Sequence, residues 1–290
     1  MTNILLSRFN YEIGTHVPFH KTLTSTLKYS ISLGMYSFQF FLGSPQSFTT
    51  STLSDEDIAQ FHVIQKRFPT KVFVHSPYVF NLAGSKDCLS WNGDSLQDEK
   101  TIKVIKSLEK ELNHVALFGQ GVVLHPGCFT DKKKGCHAIA KSINMIDFKT
   151  GSKLILENMA GQGSVIGSMI EELKDIKDQV VPEKQKYIGF CIDTAHIWGK
   201  GLYDLREIKE VDKMFGDLEN ILGIQYITLF HLNDSKAVFA SNLDRHELLG
   251  EGEIWKNHKN TLHYLLEKLK FYNIPCVMET DPSDMIKFLD

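Results

Sequence analysis

The chain has 290 residues, 42% of them hydrophobic and 23% charged, with a formal net charge of -3. That length buries one large core, and an α/β barrel commonly occupies about 250 residues as one domain, so a single domain over 1–290 is expected. The weak acidity argues against a general nucleic-acid-coating protein, which would be basic, and no apolar run approaches the roughly 18 residues of a membrane span.

In chain order, eight β-type runs are predicted: Ile13–Val17, Tyr36–Phe41, Lys71–His75, Gly121–His125, Lys153–Glu157, Tyr187–Asp193, Tyr226–His231 and Pro275–Glu279. Helical patterns separate them. Ser54 followed by Asp57 reads as a capping box, and so does Ser168 followed by Glu171. Leu96–Phe118 carries apolar residues at helical spacing, and Asn260–Leu269 is amphipathic. Lys132, Lys133 and Lys134 read as a loop, either a phosphate contact or simply solvated. After Glu279 there is room only for a loop and a short closing helix.

Six of the eight runs end in a side chain that can bind metal: His75, His125, Glu157, Asp193, His231 and Glu279, at intervals of 50, 32, 36, 38 and 48 residues. One such residue per strand-plus-helix unit is the pattern of a (β/α)₈ TIM barrel, whose strands deliver their last side chains to one rim. A doubly wound sheet would gather function at one crevice and has no reason to end six strands this way. The chain also lacks GxGxxG and GxxxxGK[ST] phosphate loops.

Singly, each residue is ambiguous. His75 could be a hydrogen-bonded rim residue, and Glu157 could pair with a lysine. Together, Glu157, Asp193 and Glu279 converge without matching Lys or Arg in their motifs, and metal ions are the simplest countercharge. His196 follows Asp193 by three residues, and Asp244-Arg245-His246 alternates so that carboxylate and imidazole face one side. The donors suit several zinc or manganese ions. Asn233 and Asp234 are candidates to orient water or an imidazole proton, and His16 points into the rim as a candidate to stand behind the ligands. Three divalent ions would add six positive charges where a phosphate must sit.

The five cysteines follow no disulfide pattern: Cys191 and Cys276 fall in strand runs, and Cys88, Cys128 and Cys136 in loops. With no apolar leader visible at the start, an intracellular, reducing compartment is expected.

Longer motifs sharpen the reading: HPG at 125–127, ENMAGQGSVIG at 157–167, GFCIDTAHIWGKGLYDLR at 189–206, HLNDSK at 231–236 and DRHELLGEGEI at 244–254. Together, from IGTHV at 13 to METD at 278–281, the chain resembles the endonuclease IV family of abasic-site DNA repair enzymes. The resemblance implies a three-zinc cluster at the C-terminal ends of the strands: His75, His125 and Glu157 around one ion; Glu157, Asp193, His231 and Glu279 around a second; His196, Asp244 and His246 around a third. It implies hydrolysis of the phosphodiester 5′ to an abasic site, with removal of 3′-blocking groups. Glu157, Glu279 and Asp193 are the expected catalytic carboxylates. The expected partner is duplex DNA with abasic sites or 3′-blocked ends, met by a monomer with no membrane attachment.

For DNA contacts, the resemblance points to Tyr78 as a stacking aromatic and Val79 as a wedge beside it. The ring of Tyr78 could instead pack its own loop. Gln46 and Ser47, in FLGSPQSF at 41–48, stand where relatives often carry a long Arg with an adjacent amide. Gln162, between Gly161 and Gly163, suits a backbone phosphate contact or merely a turn. Arg245 is a further contact or a solvated cation. Two other functions stay in view: a divalent-metal sugar isomerase or epimerase on the same barrel, and a noncatalytic DNA-binding relative.

Overall fold

The computed structural model describes residues 13–85, 88–89, 91–92, 95–96, 98–148 and 151–283. Eight parallel strands close into a barrel: β1 Ile13–His16, β2 Ser37–Phe40, β3 Lys71–His75, β4 Gly121–Leu124, β5 Lys153–Glu157, β6 Ile188–Asp193, β7 Ile227–His231 and β8 Cys276–Met278. Each pairs with its sequence neighbours, and β8 closes on β1 through Ile13↔Cys276. The expected (β/α)₈ barrel is what the chain forms. His125 and Glu279 lie one residue beyond their strands, and the expected short closing helix lies outside the described residues.

The principal helices are α1 Leu23–Ser32, α2 Asp55–Gln65, α3 Glu99–Val115, α4 Lys132–Asn144, α5 Ile170–Gln179, α6 Thr194–Lys200, α7 Ile208–Asp217 and α8 Lys259–Phe271. Their apolar stripes and the outward residues of the strands form one continuous buried layer that includes Trp198, Trp255, Phe38 and Phe215. Each such side chain removed from water is worth about 2 kcal/mol.

A second, smaller cluster fills the barrel: Phe73, Val123, Ile155, Cys191, Leu229 and Val277. Each stands two residues before one of the six strand-end donors. Because strand side chains alternate with period 2, a residue packed inside the barrel obliges the second residue after it to face the same axis, one layer higher. The apolar plug thus forms the floor of the site. Strands β1 and β2 complete the circle differently: a Cβ on Gly14 would lie 1.4 Å from the Ser37 carbonyl oxygen, so only glycine permits this approach. His16 pairs in register with Gln39 one step above.

Several local expectations change. Ser54 caps α2 by accepting from the Asp57 amide, but the Asp57 carboxylate turns to α1, accepting from Leu23 and Thr24 N–H. Ser168 does not cap α5. The Glu172 carboxylate accepts from the Gly167 and Ser168 amides instead, tying the first turn of the helix back to the segment that leads into it. The lysine run opens α4 behind the cap Asp131, and Cys136 is buried within that helix. Cys191 and Cys276 are core residues, as expected.

Candidate metal centre

All nine sequence-predicted donors meet at the C-terminal end of the barrel. They fall into three overlapping groups: His75, His125 and Glu157; Glu157, Asp193, His231 and Glu279; and Asp193, His196 and His246. Within each group the donor atoms lie within 4.8 Å of one another. Asp244 joins the third, its oxygens 3.1 Å from His196 Nε2 and 3.0 Å from His246 Nε2. Asp193, expected in the second group alone, faces the third as well, with Oδ2 3.7 Å from His246 Nε2.

The imidazoles are aimed by what lies behind them. His75 Nδ1 donates to the Ser76 carbonyl at 2.7 Å and turns Nε2 toward Glu157 at 3.3 Å. His196 Nδ1 donates to the Asn158 carbonyl at 2.7 Å, leaving Nε2 for Asp244. His231 reverses the pattern: its Nε2 donates to Gln39 Oε1 at 3.0 Å, and Nδ1 faces Glu157 Oε1 at 2.9 Å. A rear nitrogen held by an oxygen and a front nitrogen turned to the carboxylates is how proteins orient metal-binding histidines.

Two of those partners are not visible in the sequence pattern. Gln39, fully buried, spends its whole amide on the site: Oε1 accepts from His231, while Nε2 donates to Glu279 Oε1 at 3.1 Å and to His16 Nδ1 at 3.1 Å. Burial pushes His16 down to about 3, so its ring is neutral and accepts that bond. Asn158 clamps β6, its Oδ1 accepting from Asp193 N at 2.6 Å. Asn233, expected to orient water or an imidazole proton, works on the carboxylates instead: it donates to Asp193 Oδ2 and Glu279 Oε2 and accepts from the Glu279 amide. Asp234 turns away to accept from the amides of Ser235, Gly250, Gly252 and Ile254.

The electrostatics call for cations. Burial opposes the charged form of Glu157, yet the imidazoles of His231 and His125 hold its carboxyl well below the usual range. Burial also opposes charge on His196, but Asp193, Asp244 and Glu157 raise it to about 10. Against the same burial, His231 holds Glu279 at about 2. Asp193 goes the other way, raised first by burial. Glu157 Oε2 and His196 Nε2 are buried against other donors of the site, yet none of those contacts is an aligned hydrogen bond. Four carboxylates facing five imidazoles, with orphaned donor atoms between them, form a set that divalent ions satisfy.

The open side of this site is a cavity of about 260 Å³ lined by Tyr78, His125, His196, Asp244, His246 and Glu279. Tyr78 is exposed, its ring set edgewise against Phe41 and His75. Its amide donates to the Pro45 carbonyl at 2.9 Å, which places the loop carrying exposed Gln46 and half-buried Ser47 beside it. Val79 is half-buried and packs against the core. Gln162 is half-buried in a turn, its carbonyl accepting from the Val165 amide. Arg245 is exposed at the rim and bonds the Asp244 carbonyl. Lys132 donates to the Val165 carbonyl, and Lys134 pairs with Asp131 at 3.6 Å.

This fold and site define a xylose isomerase-like TIM barrel, and the family model of that description matches residues 27–287. A "Probable endonuclease 4" of Halothermothrix orenii is 34% identical over 275 residues, covering 92% of each chain. The "Apurinic-apyrimidinic endonuclease 1" of Plasmodium berghei is 30% identical over 93% of this chain and 52% of its own. The crystal structure of endonuclease IV from Thermus thermophilus superposes with a TM-score of 0.78 at 24% identity, over 95% of both chains. The chain belongs to the endonuclease IV family.

Proposed function

We propose that this chain is a metal-dependent endonuclease of base excision repair, cutting duplex DNA on the 5′ side of abasic sites and clearing blocked 3′ ends, and that it acts as a monomer. The observation that carries the reading is the convergence of all nine donors at one end of the barrel, five of them lining one open cavity, in a chain of this family. Three zinc ions would be held by His75, His125 and Glu157; by Glu157, Asp193, His231 and Glu279; and by His196, Asp244 and His246. When bound, such ions lower the pKa of water and offset charge growing on the nonbridging phosphate oxygens.

The protein's part is positional. Gln39 and Asn233 fix both oxygens of Glu279, which lines the cavity and is the carboxylate placed to orient the attacking water. Glu157 belongs to the first two groups and Asp193 to the second and third, so each would serve as a shared carboxylate when metal is bound. The apolar plug below excludes water from the floor of the site. Tyr78, with Gln46 and Ser47 beside it, would meet the opened duplex. Val79 supports that loop, and Gln162 and Arg245 would meet the backbone.

A sugar isomerase or epimerase on this barrel would leave the group of His196, Asp244 and His246 without a task, and a noncatalytic relative would not need every donor in place. The test is incision of a duplex carrying one abasic analogue, with elemental analysis of the same preparation. Cleavage 5′ to the lesion that is lost on chelation and restored by zinc is expected. Intact substrate with a fully metallated protein would overturn the reading.

A further inference from the structure

We propose that the loop 237–243 is an apolar wedge that enters the base stack beside the lesion, from the wall of the cavity opposite Tyr78. The proposal rests on the reading of the chain as an abasic-site nuclease.

The loop is built rigidly. Trp198 Nε1 donates to the Ala237 carbonyl at 2.8 Å, Phe239 packs edgewise on the Trp198 ring, the Ala240 amide donates to the Trp198 carbonyl at 3.1 Å, and the Asn242 amide to the Gly199 carbonyl at 2.7 Å. All four anchors belong to the last turn of α6, the helix that carries His196. Ala240 and Asn242 hold left-handed backbone, with φ of 59° and 53°. Residues with a side chain adopt such conformations only at a cost, so the anchoring contacts must fix the loop's shape. Across the gap, Gly161 makes room for it: a Cβ there would lie 2.5 Å from Asn242 Oδ1.

What this scaffold presents is apolar. Ala237 is buried, whereas Val238 is 63% exposed and Leu243 46% exposed. Leu243 directly precedes Asp244, which lines the cavity with Tyr78, itself 55% exposed. The loop follows β7, which stands four strands from β3 in the eight-stranded barrel, and the segment after β3 carries Tyr78, so aliphatic side chains and an aromatic come from opposite sides of the barrel end that holds the metal donors. The side chain expected to act as the wedge, Val79, is half-buried and packed against the core. In the segment that leads from β7 to Asp244, Val238 and Leu243 are the exposed large aliphatic side chains. Unstacked base steps accept such side chains, and proteins that kink DNA insert aliphatic wedges there. Phosphates do not suit them, so the occupant is a base step rather than the backbone.

The experiment uses the zinc-loaded full chain with Val238→Ser, Leu243→Ser, the double variant and Leu243→Met. Affinity is measured for abasic and intact duplexes over a range of salt, with 2-aminopurine beside the lesion reporting unstacking. The double variant should bind the abasic duplex about tenfold more weakly, with a smaller fluorescence rise, an unchanged zinc content and an unchanged salt slope, because no phosphate contact is lost. Leu243→Met should retain most of the affinity. Equal losses on both duplexes, a shallower salt slope, or unaltered fluorescence and affinity would overturn the wedge. Failure of the unmodified chain to incise the abasic duplex would instead overturn the nuclease reading.

Discussion

The two oxygens of Glu157 face four imidazoles: Oε2 lies 3.3 Å from His75 and from His125, and Oε1 lies 2.9 Å from His231 and 3.5 Å from His196. That reach across both halves of the site is why a bridging role falls to it. Glu157→Gln keeps the shape, removes the charge and turns an N–H toward a metal. Cleavage should fall by at least the ~10²–10³-fold typical of one electrostatic catalytic group, with fewer ions bound. Near-normal single-turnover cleavage would show that another carboxylate bridges. At the same scale Gln46 is exposed and uncharged beside Tyr78. Gln46→Arg adds a cation where the backbone of an opened duplex would pass, so it should tighten abasic-duplex binding and steepen its salt dependence. Unchanged affinity at fixed salt would mean this loop does not limit recognition.

Between elements, the third donor group depends on a short ladder. Ser235 pairs with His246 and Asp234 with Glu247, so the segment carrying Asp244 and His246 hangs from the end of β7. The Asp234 carboxylate accepts from four backbone amides, its own neighbour Ser235 and, on the far side of that ladder, Gly250, Gly252 and Ile254, and Gly252 must be glycine because a Cβ would sit 2.4 Å from Asp234 Oδ1. Asp234→Asn would present a donor to two of those amides, loosening the ladder while sparing the barrel. One zinc should bind at least about tenfold more weakly while the others stay in place, as read by metal titration alongside thermal melting; losing two unpaired amides costs about 1–3 kcal/mol apiece. Unaltered zinc affinity would detach the ladder from the site. Strand ends are legible in the sequence because inward parity repeats: Phe73 to His75, or Leu229 to His231, differ by one side-chain period. Gln39 is hidden because the second run reads as ending at Phe41, an aromatic, which masks the polar residue two positions before it. Asn158 is hidden because much of its work is done by its backbone carbonyl, which no residue type advertises. The lysine run reads as a loop although Asp131 stands at its head, because that N-cap signal precedes a weakly apolar first turn.

Across the whole molecule, the apolar layer between barrel and helices contains one carboxyl with no function at the site. On α3 the buried stripe runs Val104, Leu108, Glu111, Val115, so Glu111 occupies a position that helical spacing assigns to a hydrophobe. It is 1% exposed, its Oε2 has no hydrogen-bond partner, and burial pushes its carboxyl up from the ordinary 4.5 to about 8. The folded chain therefore keeps a proton that the unfolded chain releases. Stability from this group is fully present below pH 4.5 and is lost as pH rises through about 8. Acid acts in the opposite sense at the rim, where protonation of carboxylates and imidazoles competes with metal. Comparing variants at equal pH removes that shared effect. Glu111→Leu should leave the acid limit nearly unchanged and become more stable than the parent as pH rises. The gain should reach a few kcal/mol at about pH 8, because each pH unit above the unfolded pKa costs the parent about 1.4 kcal/mol. Urea unfolding of both proteins with zinc held fixed, repeated from about pH 5 to 8.5, reads the difference directly. Parallel stability curves across that range would mean that Glu111 finds a partner in solution, and that the layer carries no ionisable liability.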